Sequence, residues 1–348
     1  MRALTIEPGV SGSLRLDEIE TPRAGPDQLL VRAVALGVCG TDREIVDGEY
    51  GTAPPGAPRL VLGHESLGRV ETAPPGSGFR PGDPVVGIVR HPDPAPCANC
   101  AAGEWDMCRN GDYTEHGIKA RHGFGSEFYV LEPGHAVPVD PSLGMAAVLL
   151  EPASVVAKAW EHTERIGARA VWQPRSVLIT GAGPVGLLAA LLGAQRGLEV
   201  HVLDHATDGP KPDLVRRLGG IYHTGPLEEL ELRPDIVMEC TGAPAVILDV
   251  MQRTGQNGIV CLAGLSSSER RTKVDLAGLN RSMVLENDVV FGSVNANRRH
   301  YDAAAHALAD ADRDWLHTLL TRRVPLERFA EAIERQPDDI KTVIEFPA

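Results

Sequence analysis

Aromatic residues, basic charge and long apolar runs are all scarce in this sequence of 348 residues. Aromatic side chains make up only 4% of the chain, which leaves little material for a broad apolar ligand pocket. Lys and Arg number 34 against 47 Asp and Glu, for a formal net charge of −13. A negative field of this size repels phosphate backbones and anionic lipid. We therefore expect neither nucleic acid nor a membrane surface among the partners.

The chain also lacks the signals of export and of disulfide stabilisation. It has no run of about 18 apolar residues, the length of a membrane-spanning helix, and its start, MRALTIEPGVSG, has no apolar signal-peptide core. The 6 cysteines are better interpreted as metal ligands or buried thiols than as a disulfide framework. We therefore expect a cytoplasmic protein whose ordinary globular composition fills two domains.

The pattern of the chain changes near its middle. Up to about residue 150, short alternating stretches such as QLLVRAVAL and HESLGRVE are separated by Gly/Pro-rich segments, which is typical of a β-rich domain with long loops. From Ser176 onward, apolar strands alternate with helices: SVLIT, then PVGLLAALLGAQRG, then EVHVLD. This alternation predicts right-handed βαβ units and a parallel sheet.

A glycine motif lies at the first strand-to-helix junction of the second half. In ITGAGPVGLLAA, Gly181 allows a tight turn, Gly183 lets a pyrophosphate approach the backbone, and Gly186 lets helix and strand pack closely. Asp204 ends the next strand about 20 residues on, where a carboxylate can bind ribose hydroxyls. The context predicts a dinucleotide site that prefers NAD, because the charge of Asp204 opposes a 2′-phosphate.

A second pattern joins Cys39 in GVCGTD to His64 and Glu65 in GHE. A thiolate, an imidazole and a carboxylate suit a tetrahedral Zn²⁺ that keeps one position open for substrate. From these residues alone, a buried cysteine and a structural histidine are the alternative.

These motifs together resemble the zinc-containing medium-chain dehydrogenase/reductase superfamily. Several segments resemble in particular the glucose (aldose) dehydrogenases: TDREIVDGEYG, HGFGSEF, LLEPASVVAKAWEH, and the late GSVNANRRHY with IKTVIEF. The resemblance implies an α/β fold of two domains whose cleft holds zinc, nicotinamide and substrate. Residues 1–155, completed by 300–348, would form a GroES-like β-rich catalytic domain. Residues 156–299 would form a Rossmann domain with a doubly wound parallel sheet.

The resemblance also implies roles for individual residues. Cys39, His64 and a carboxylate from Glu65 or Glu151 would hold the catalytic zinc, with the choice of carboxylate open, and Thr41 would relay the alcohol proton. The cofactor would contact Gly181, Gly183, Pro184, Val185, Gly186, Asp204, Thr241 and Asn295. Glu115, His116 and Asn297 would contact substrate, although surface loops often carry such residues without any function.

A third cysteine-rich segment resembles the structural-zinc lobe of the superfamily. Cys97, Cys100 and Cys108 match that lobe, but Pro94 stands where a further cysteine is usual. Asp93 or a nearby carboxylate could complete a closed zinc site, and a metal-free loop of three reduced thiols is the alternative.

The function that follows is hydride transfer from the anomeric carbon of an aldose such as glucose to NAD, with NADP possible. A dehydrogenase of a cyclitol, polyol or amino sugar is the nearest alternative. A non-catalytic nucleotide-binding protein is an alternative of another class, and the intact zinc and glycine motifs argue against it. The strand-like NDVVFGSV could pair across a two-fold axis, which favours a homodimer or homotetramer.

Overall fold

A computed structural model describes residues 1–266 and 273–347 of the chain. Residues 1–154 and 295–348 form one compact unit, and residues 155–294 form a second. Helix α3 (Leu150–Gly167) carries the chain from the first unit into the second.

The first unit is rich in short strands. They are β1 (Arg2–Ile6), β2 (Arg15–Glu18), β3 (Leu29–Val38), β4 (Leu60–Val61), β5 (Glu65–Thr72), β6 (Pro84–Gly87), β7 (Arg90–His91), β8 (Thr114–His116), β9 (Ala120–Arg121), β10 (Phe128–Leu131), β11 (Ala136–Pro138), β18 (Arg322–Pro325) and β19 (Thr342–Glu345). Its helices, besides the start of α3, are α1 (Gly40–Val46), α2 (Ala98–Ala101), α8 (Arg298–Ala309), α9 (Arg313–Thr318) and α10 (Phe329–Ile333).

The largest sheet of this unit is built around β3. Its strand order is β11-β6-β5-β3-β19-β18, and β10 also pairs with β3. Strand β19, from the end of the chain, pairs antiparallel with β3, so residues near both termini share one sheet. Leu29, Val31 and Leu36 of β3 pack in the same buried cluster as Phe124 and Ile344. The apolar side chains of β3 therefore tie the two chain segments to a common core.

The second unit alternates strands and helices. Its strands are β12 (Ser176–Thr180), β13 (Glu199–Leu203), β14 (Ile221–His223), β15 (Ile236–Glu239), β16 (Ile259–Leu262) and β17 (Val289–Gly292). Its helices, besides the rest of α3, are α4 (Pro184–Gln195), α5 (Pro210–Arg217), α6 (Pro244–Val250) and α7 (Leu276–Glu286).

These strands form one parallel sheet with the order β14-β13-β12-β15-β16-β17. The order reverses beside β12, the strand that precedes the glycine motif, and this is the doubly wound Rossmann arrangement. Apolar runs such as SVLIT are buried on both faces, as parallel sheets require. The carboxyl ends of β12, β13 and β15 consequently meet at one edge, which is where such sheets bind nucleotides.

One helical stretch in the described part of the chain, Pro141–Gly167, combines length with apolar composition. It is long and apolar enough to cross a membrane by length and composition, and 72% of its most apolar window is buried inside the fold. Such burial is what the core helix of a folded domain shows.

Candidate active site and nucleotide-binding edge

Three strands of the large sheet bring their ends together in the first unit. Strand β3 runs antiparallel to β5 and β19, so the end of β3 lies beside the beginnings of both. Cys39 directly follows β3, His64 directly precedes β5, and Lys341 directly precedes β19. Backbone pairing therefore gathers side chains that are far apart in sequence.

Cys39 and His64 present two of the donor types that zinc prefers. The Cys39 Sγ atom lies 3.1 Å from His64 Nε2, and the Asp42 Oδ1 atom lies 3.3 Å from His64 Nδ1. A carboxylate beside Nδ1 favours a proton there and leaves Nε2 free as a ligand. The ligand atoms of Cys39, His64 and Glu65 all lie within 4.8 Å of one another. This donor set, here called the strand-end site, fits a catalytic zinc.

Glu65 is held by a buried ion pair that sequence reasoning missed. Lys341 Nζ donates to Glu65 Oε1 and Oε2 at 2.7 and 2.5 Å, and also to the Val38 carbonyl oxygen at 3.3 Å. The Lys341 and Glu65 side chains are only 1% and 3% exposed. Gly37 leaves room for the carboxylate, since a Cβ at that position would overlap Glu65 Oε2. In the sequence, Lys341 stands directly before the apolar strand in IKTVIEF. A charged residue at that position was the signal that could have indicated this ion pair.

Glu151 and Thr41 complete the predicted catalytic set. Glu151 lies in the first turn of α3 and is 8% exposed. Burial raises the pKa of its carboxyl to about 7, His64 opposes that shift, and the charge of Glu65 reinforces it. Among the described residues, the group of mutually close ligand atoms contains Glu65 and not Glu151. Thr41 is half-buried in the first turn of α1, two residues after Cys39.

Glu115 and Asn295 meet in a buried polar network. Arg90 Nε donates to Glu115 Oε1 at 3.0 Å, and Asn295 Nδ2 donates to the same oxygen at 2.7 Å. Arg90 Nη2 forms an ion pair with this oxygen at 2.9 Å. The Tyr113 ring lies 3.7 Å from the Arg90 guanidinium carbon. Arg90 pairs with Glu115 across β7 and β8, a register that the sequence pattern did not reveal. The structure thus joins Glu115, a predicted substrate contact, to Asn295, a predicted cofactor contact.

His116 and Asn297 use their polar atoms inside the protein. His116 Nδ1 lies 2.7 Å from the His122 carbonyl oxygen, and its Nε2 lies 3.1 Å from His91 Nε2. Asn297 is 1% exposed, caps α8 and donates to Asp106 Oδ1 at 2.7 Å. The structure therefore gives these residues packing and capping contacts, and their contact with substrate stays a prediction.

The three clustered cysteines lie together in a local loop, here called the cysteine lobe. The Sγ atoms of Cys97, Cys100 and Cys108 are within 4.8 Å of one another. The Arg109 N–H donates to Cys97 Sγ at 3.4 Å, and this hydrogen bond is the main cause that lowers the Cys97 pKa to about 6. Burial raises the pKa of Cys100 to about 11. Three close sulfurs suit a closed metal site, although they supply only three ligands.

Asp93, the suggested fourth ligand of the lobe, has other partners. Its Oδ1 accepts the Ala95 N–H at 2.8 Å, and its Oδ2 accepts Asn110 Nδ2 at 2.8 Å. Within the described residues, the close group around the three thiols does not include Asp93. The carboxylate shapes the loop through these bonds, and its role as a fourth ligand stays a prediction.

The glycine motif adopts the geometry that its spacing predicts. Gly181 has a φ of 89°, a conformation that side-chain-bearing residues rarely adopt. A Cβ on Gly186 would overlap the Gly181 carbonyl oxygen, whereas a Cβ on Gly183 would meet nothing within 4 Å. Pro184 and Val185 then open α4. The space above Gly183 and the N–H groups of the first helical turn, which have no acceptor within the helix itself, fit a dinucleotide pyrophosphate.

Asp204 and Thr241 border this glycine turn. Asp204 directly follows β13, and its Oδ2 accepts the Ala182 N–H of the turn at 2.6 Å. Its Oδ1 accepts the Ala206 N–H at 3.0 Å and lies 3.4 Å from Lys211 Nζ. Thr241 follows β15, with its methyl group 3.0 Å from where a Cβ on Gly181 would lie. The Asp204 carboxylate is therefore partly neutralised and only 9% exposed.

Comparison with known proteins returns two family matches that together cover most of the chain. The family described as Alcohol dehydrogenase GroES-like domain matches residues 25–141. The family described as Glucose dehydrogenase C-terminus matches residues 144–346.

Full-length relatives and a solved structure agree with these matches. The glucose 1-dehydrogenase of Methanocella arvoryzae is 39% identical over 359 residues, covering 100% of both chains. That of Thermoproteus tenax is 40% identical over 351 residues and 99% of each. The glucose dehydrogenase of Haloferax mediterranei, solved in complex with NADP, Zn and gluconolactone, matches with a TM-score of 0.92 and 31% identity over 100% of both chains.

The fold and the donor set define a zinc-dependent dehydrogenase that uses a nicotinamide cofactor, with a GroES-like domain and a Rossmann sheet. The expected fold class, enzyme class and cofactors are thereby confirmed. The chain belongs to the glucose dehydrogenase family of the medium-chain dehydrogenases/reductases. The roles of individual residues and the boundaries inferred for the domains stay predictions.

Proposed function

We propose that this enzyme oxidises the anomeric carbon of an aldose, with glucose the first candidate. Hydride leaves C1 for NAD(P)⁺ and the C1 hydroxyl loses its proton, so the products are a lactone, NAD(P)H and H⁺. The similarity to the Haloferax mediterranei enzyme, whose complex holds NADP, Zn and gluconolactone, carries this proposal because it covers 100% of both chains.

In this proposal Cys39, His64 and Glu65 hold the zinc, and Glu151 ligates through water or in only some catalytic states. The bound metal supplies Lewis acidity that lowers the pKa of the substrate hydroxyl. Asp42 keeps the proton of His64 on Nδ1. The half-buried Thr41 hydroxyl receives the substrate proton and passes it towards solvent.

The buried network of Arg90, Glu115 and Asn295 supports a polyhydroxylated substrate. Arg90 holds Glu115 by one hydrogen bond and an ion pair, both to Oε1, and the carboxylate has further lone pairs for a sugar hydroxyl. A site built to bind hydroxyls leaves its own polar groups unpaired when a simple alcohol binds, which can reduce catalysis by several orders of magnitude. We therefore expect strong discrimination against ethanol-like substrates.

A substrate panel tests the proposal directly. Zinc-loaded enzyme is assayed for NADH and NADPH formation with aldoses, polyols, cyclitols, amino sugars and simple primary alcohols. The expected result is the highest kcat/KM with an aldopyranose and a lactone product identified by mass. Glu115→Gln should lower kcat/KM for the sugar.

Each other outcome of the panel has a definite meaning. A cyclitol, polyol or amino sugar as the best substrate would retain the polar-pocket argument and overturn the aldose assignment. Primary alcohols oxidised as efficiently as any sugar would overturn both. Binding of the nucleotide without oxidation of any substrate would favour the alternative of a non-catalytic nucleotide-binding protein.

We also propose a preference for NAD over NADP, based on Asp204. Because Lys211 Nζ lies 3.4 Å and His205 Nδ1 3.5 Å from Asp204 Oδ1, we expect the carboxylate to oppose a 2′-phosphate only weakly. A preference of about tenfold in kcat/KM corresponds to ~1.4 kcal/mol. Asp204→Ala should reduce that ratio, and equal kcat/KM for the two cofactors in the wild type would contradict it.

The proposed assembly is a homodimer or homotetramer. Strand β17 lies at the end of the Rossmann sheet, where its outer edge can pair with a second copy. Large apolar side chains are exposed in the chain segments that flank β17 in sequence, from the end of β16 onward, with 63–74% of their surface accessible: Leu265, Leu276, Val284, Leu285 and Val294. Light scattering should give a mass of two or four chains, and Leu285→Glu should lower it. A monomeric wild type would contradict this.

The proposed location is the cytoplasm, where thiols remain reduced. All 6 cysteines are free in the structure. Cell fractionation that recovers the enzyme outside the cytoplasm would overturn this assignment.

A further inference from the structure

Glu239 is a buried carboxylate at the nucleotide-binding edge that the proposed mechanism does not use. It is the last residue of β15, beside the central strand β12, and it is 0% exposed. A carboxylate taken fully out of water is retained only where hydrogen bonds compensate its lost hydration. Its donors therefore indicate what the side chain does.

Those donors come mainly from the turn that follows β15. Glu239 Oε1 accepts the Thr241 N–H at 2.7 Å and also the Thr241 hydroxyl. The Gly242 N–H lies 3.2 Å from both carboxylate oxygens, and the Thr180 hydroxyl donates to Oε1 at 3.3 Å. All of these donors are uncharged. The carboxylate thus fixes the backbone and the hydroxyl of the turn at once.

The same residue also ties the turn to the neighbouring loops. The Glu239 carbonyl oxygen accepts the N–H groups of Ala263 and Gly264, both at 2.8 Å, from the loop after β16. Thr241 lies beside the glycine turn after β12, because its methyl group is 3.0 Å from the position that a Cβ on Gly181 would take. Three loops at the carboxyl edge of the sheet therefore meet at Glu239, whose side chain holds the Thr241–Gly242 turn and whose backbone carbonyl holds the loop after β16.

We propose that Glu239 is a positioning residue for the nicotinamide cofactor, acting through the Thr241–Gly242 turn. The inference rests on the proposed contact of Thr241 with the cofactor. Without the carboxylate, the Thr241 hydroxyl and two N–H groups lose their common acceptor, and the turn must be ordered again each time the nucleotide binds. That ordering cost weakens cofactor binding.

Equilibrium binding of NADH and NADPH to the zinc-loaded enzyme, measured by fluorescence, tests the proposal. Glu239→Ala should raise Kd about tenfold, which corresponds to ~1.4 kcal/mol. Glu239→Gln keeps one acceptor oxygen and should recover most of the affinity. Glu239→Asp retains the charge but shortens the reach to the turn, so it should raise Kd severalfold even if the alanine variant folds poorly.

Asp235 provides a matched control at the opposite end of the same strand. Its Oδ2 accepts the N–H groups of Arg175 and Ser176 at 2.7 and 3.1 Å, so it anchors β12 away from the nucleotide-binding edge. Asp235→Ala should lower the melting temperature and leave Kd within about twofold. Equal weakening of NADH binding by Asp235→Ala and Glu239→Ala, at matched losses of stability, would reduce Glu239 to a structural role and overturn the proposal.

The test also separates this inference from the proposed substrate. A wild type that binds NADH but oxidises no sugar would overturn the aldose assignment alone. Wild-type Kd values for both Glu239→Ala and Glu239→Asp would overturn the positioning role alone, whatever substrate the enzyme uses.

Discussion

The strand-end site and the cysteine lobe both bring together side chains that could hold a metal ion in the same unit, but they are built in different ways. The strand-end site mixes sulfur, nitrogen and oxygen donors that arrive from separate strand ends. The cysteine lobe collects three sulfurs from one short loop. A mixed three-donor set that leaves a position open suits catalysis, whereas sulfurs in a local loop suit structural support.

The two sites also differ in what holds them in place. The strand-end site depends on Lys341, which lies 276 residues from Glu65 in sequence. The cysteine lobe depends on nearby backbone donors such as the Arg109 N–H. We infer that the strand-end site is sensitive to the packing of the whole sheet, while the lobe responds to local changes.

The largest expected effect is at the strand-end site. Cys39→Ser should remove the bound zinc and lower kcat/KM at least about a thousandfold, which is ~4 kcal/mol of transition-state stabilisation. Metal analysis and steady-state kinetics measure the two losses. Active wild-type enzyme that contains no zinc would refute the assignment.

Removing the buried cation tests how that site is held. Lys341→Met should cost about 3–5 kcal/mol of unfolding free energy, because it leaves the Glu65 charge buried without a partner. Denaturant titration of metal-free protein measures this loss, and added zinc should restore more stability to the variant than to the wild type. The double variant Lys341→Met/Glu65→Gln is the control and should be less destabilised. If it is equally destabilised, packing rather than charge is the cause.

A smaller effect is expected in the cysteine lobe. Cys100→Ala should lower the unfolding free energy by about 1–3 kcal/mol and leave kcat largely unchanged. Thermal melts and kinetics on the same preparation separate stability from chemistry. A large loss of kcat in a well-folded variant would contradict the assignment of the cysteine lobe to structural support and of the strand-end site to catalysis.

The smallest expected effect is a loss of stability in acid that comes from buried histidines rather than from loss of metal. Burial lowers the pKa of His116 to about 3, and burial also lowers the pKa values of His91 and His135. A depressed histidine pKa means that the unfolded chain binds more protons, so stability is complete above about pH 6.5 and falls as pH decreases towards 3. Between pH 7 and 5.5, His116 alone should cost about 1 kcal/mol.

Melting curves across that pH range provide the measurement. His116→Asn can still donate to the His122 carbonyl oxygen but does not titrate. It should lower stability at pH 7.5 and flatten the dependence on pH. An unchanged slope would show that another group dominates the acid response.

Particular residues show how far sequence reasoning reached. The turn at Gly181 and the start of α4 were predicted because they depend on backbone geometry over a few residues. The proximity of Cys39 to His64 followed from resemblance to a known family. By contrast, the Arg90–Glu115 pair depends on the register of two very short strands, and no periodicity can be read from so few residues.

The sequence by itself determined the parallel sheet, the glycine turn and the types of donor available to zinc, because these follow from local spacing and side-chain chemistry. Only the tertiary structure decided that Lys341 holds Glu65, that His116 and Asn297 bond inside the protein, and that Glu239 organises the turn beside Gly181. Such contacts depend on which strand ends lie side by side and on which charged groups are buried away from solvent. Strand pairing and burial are properties of the packed chain rather than of any short segment.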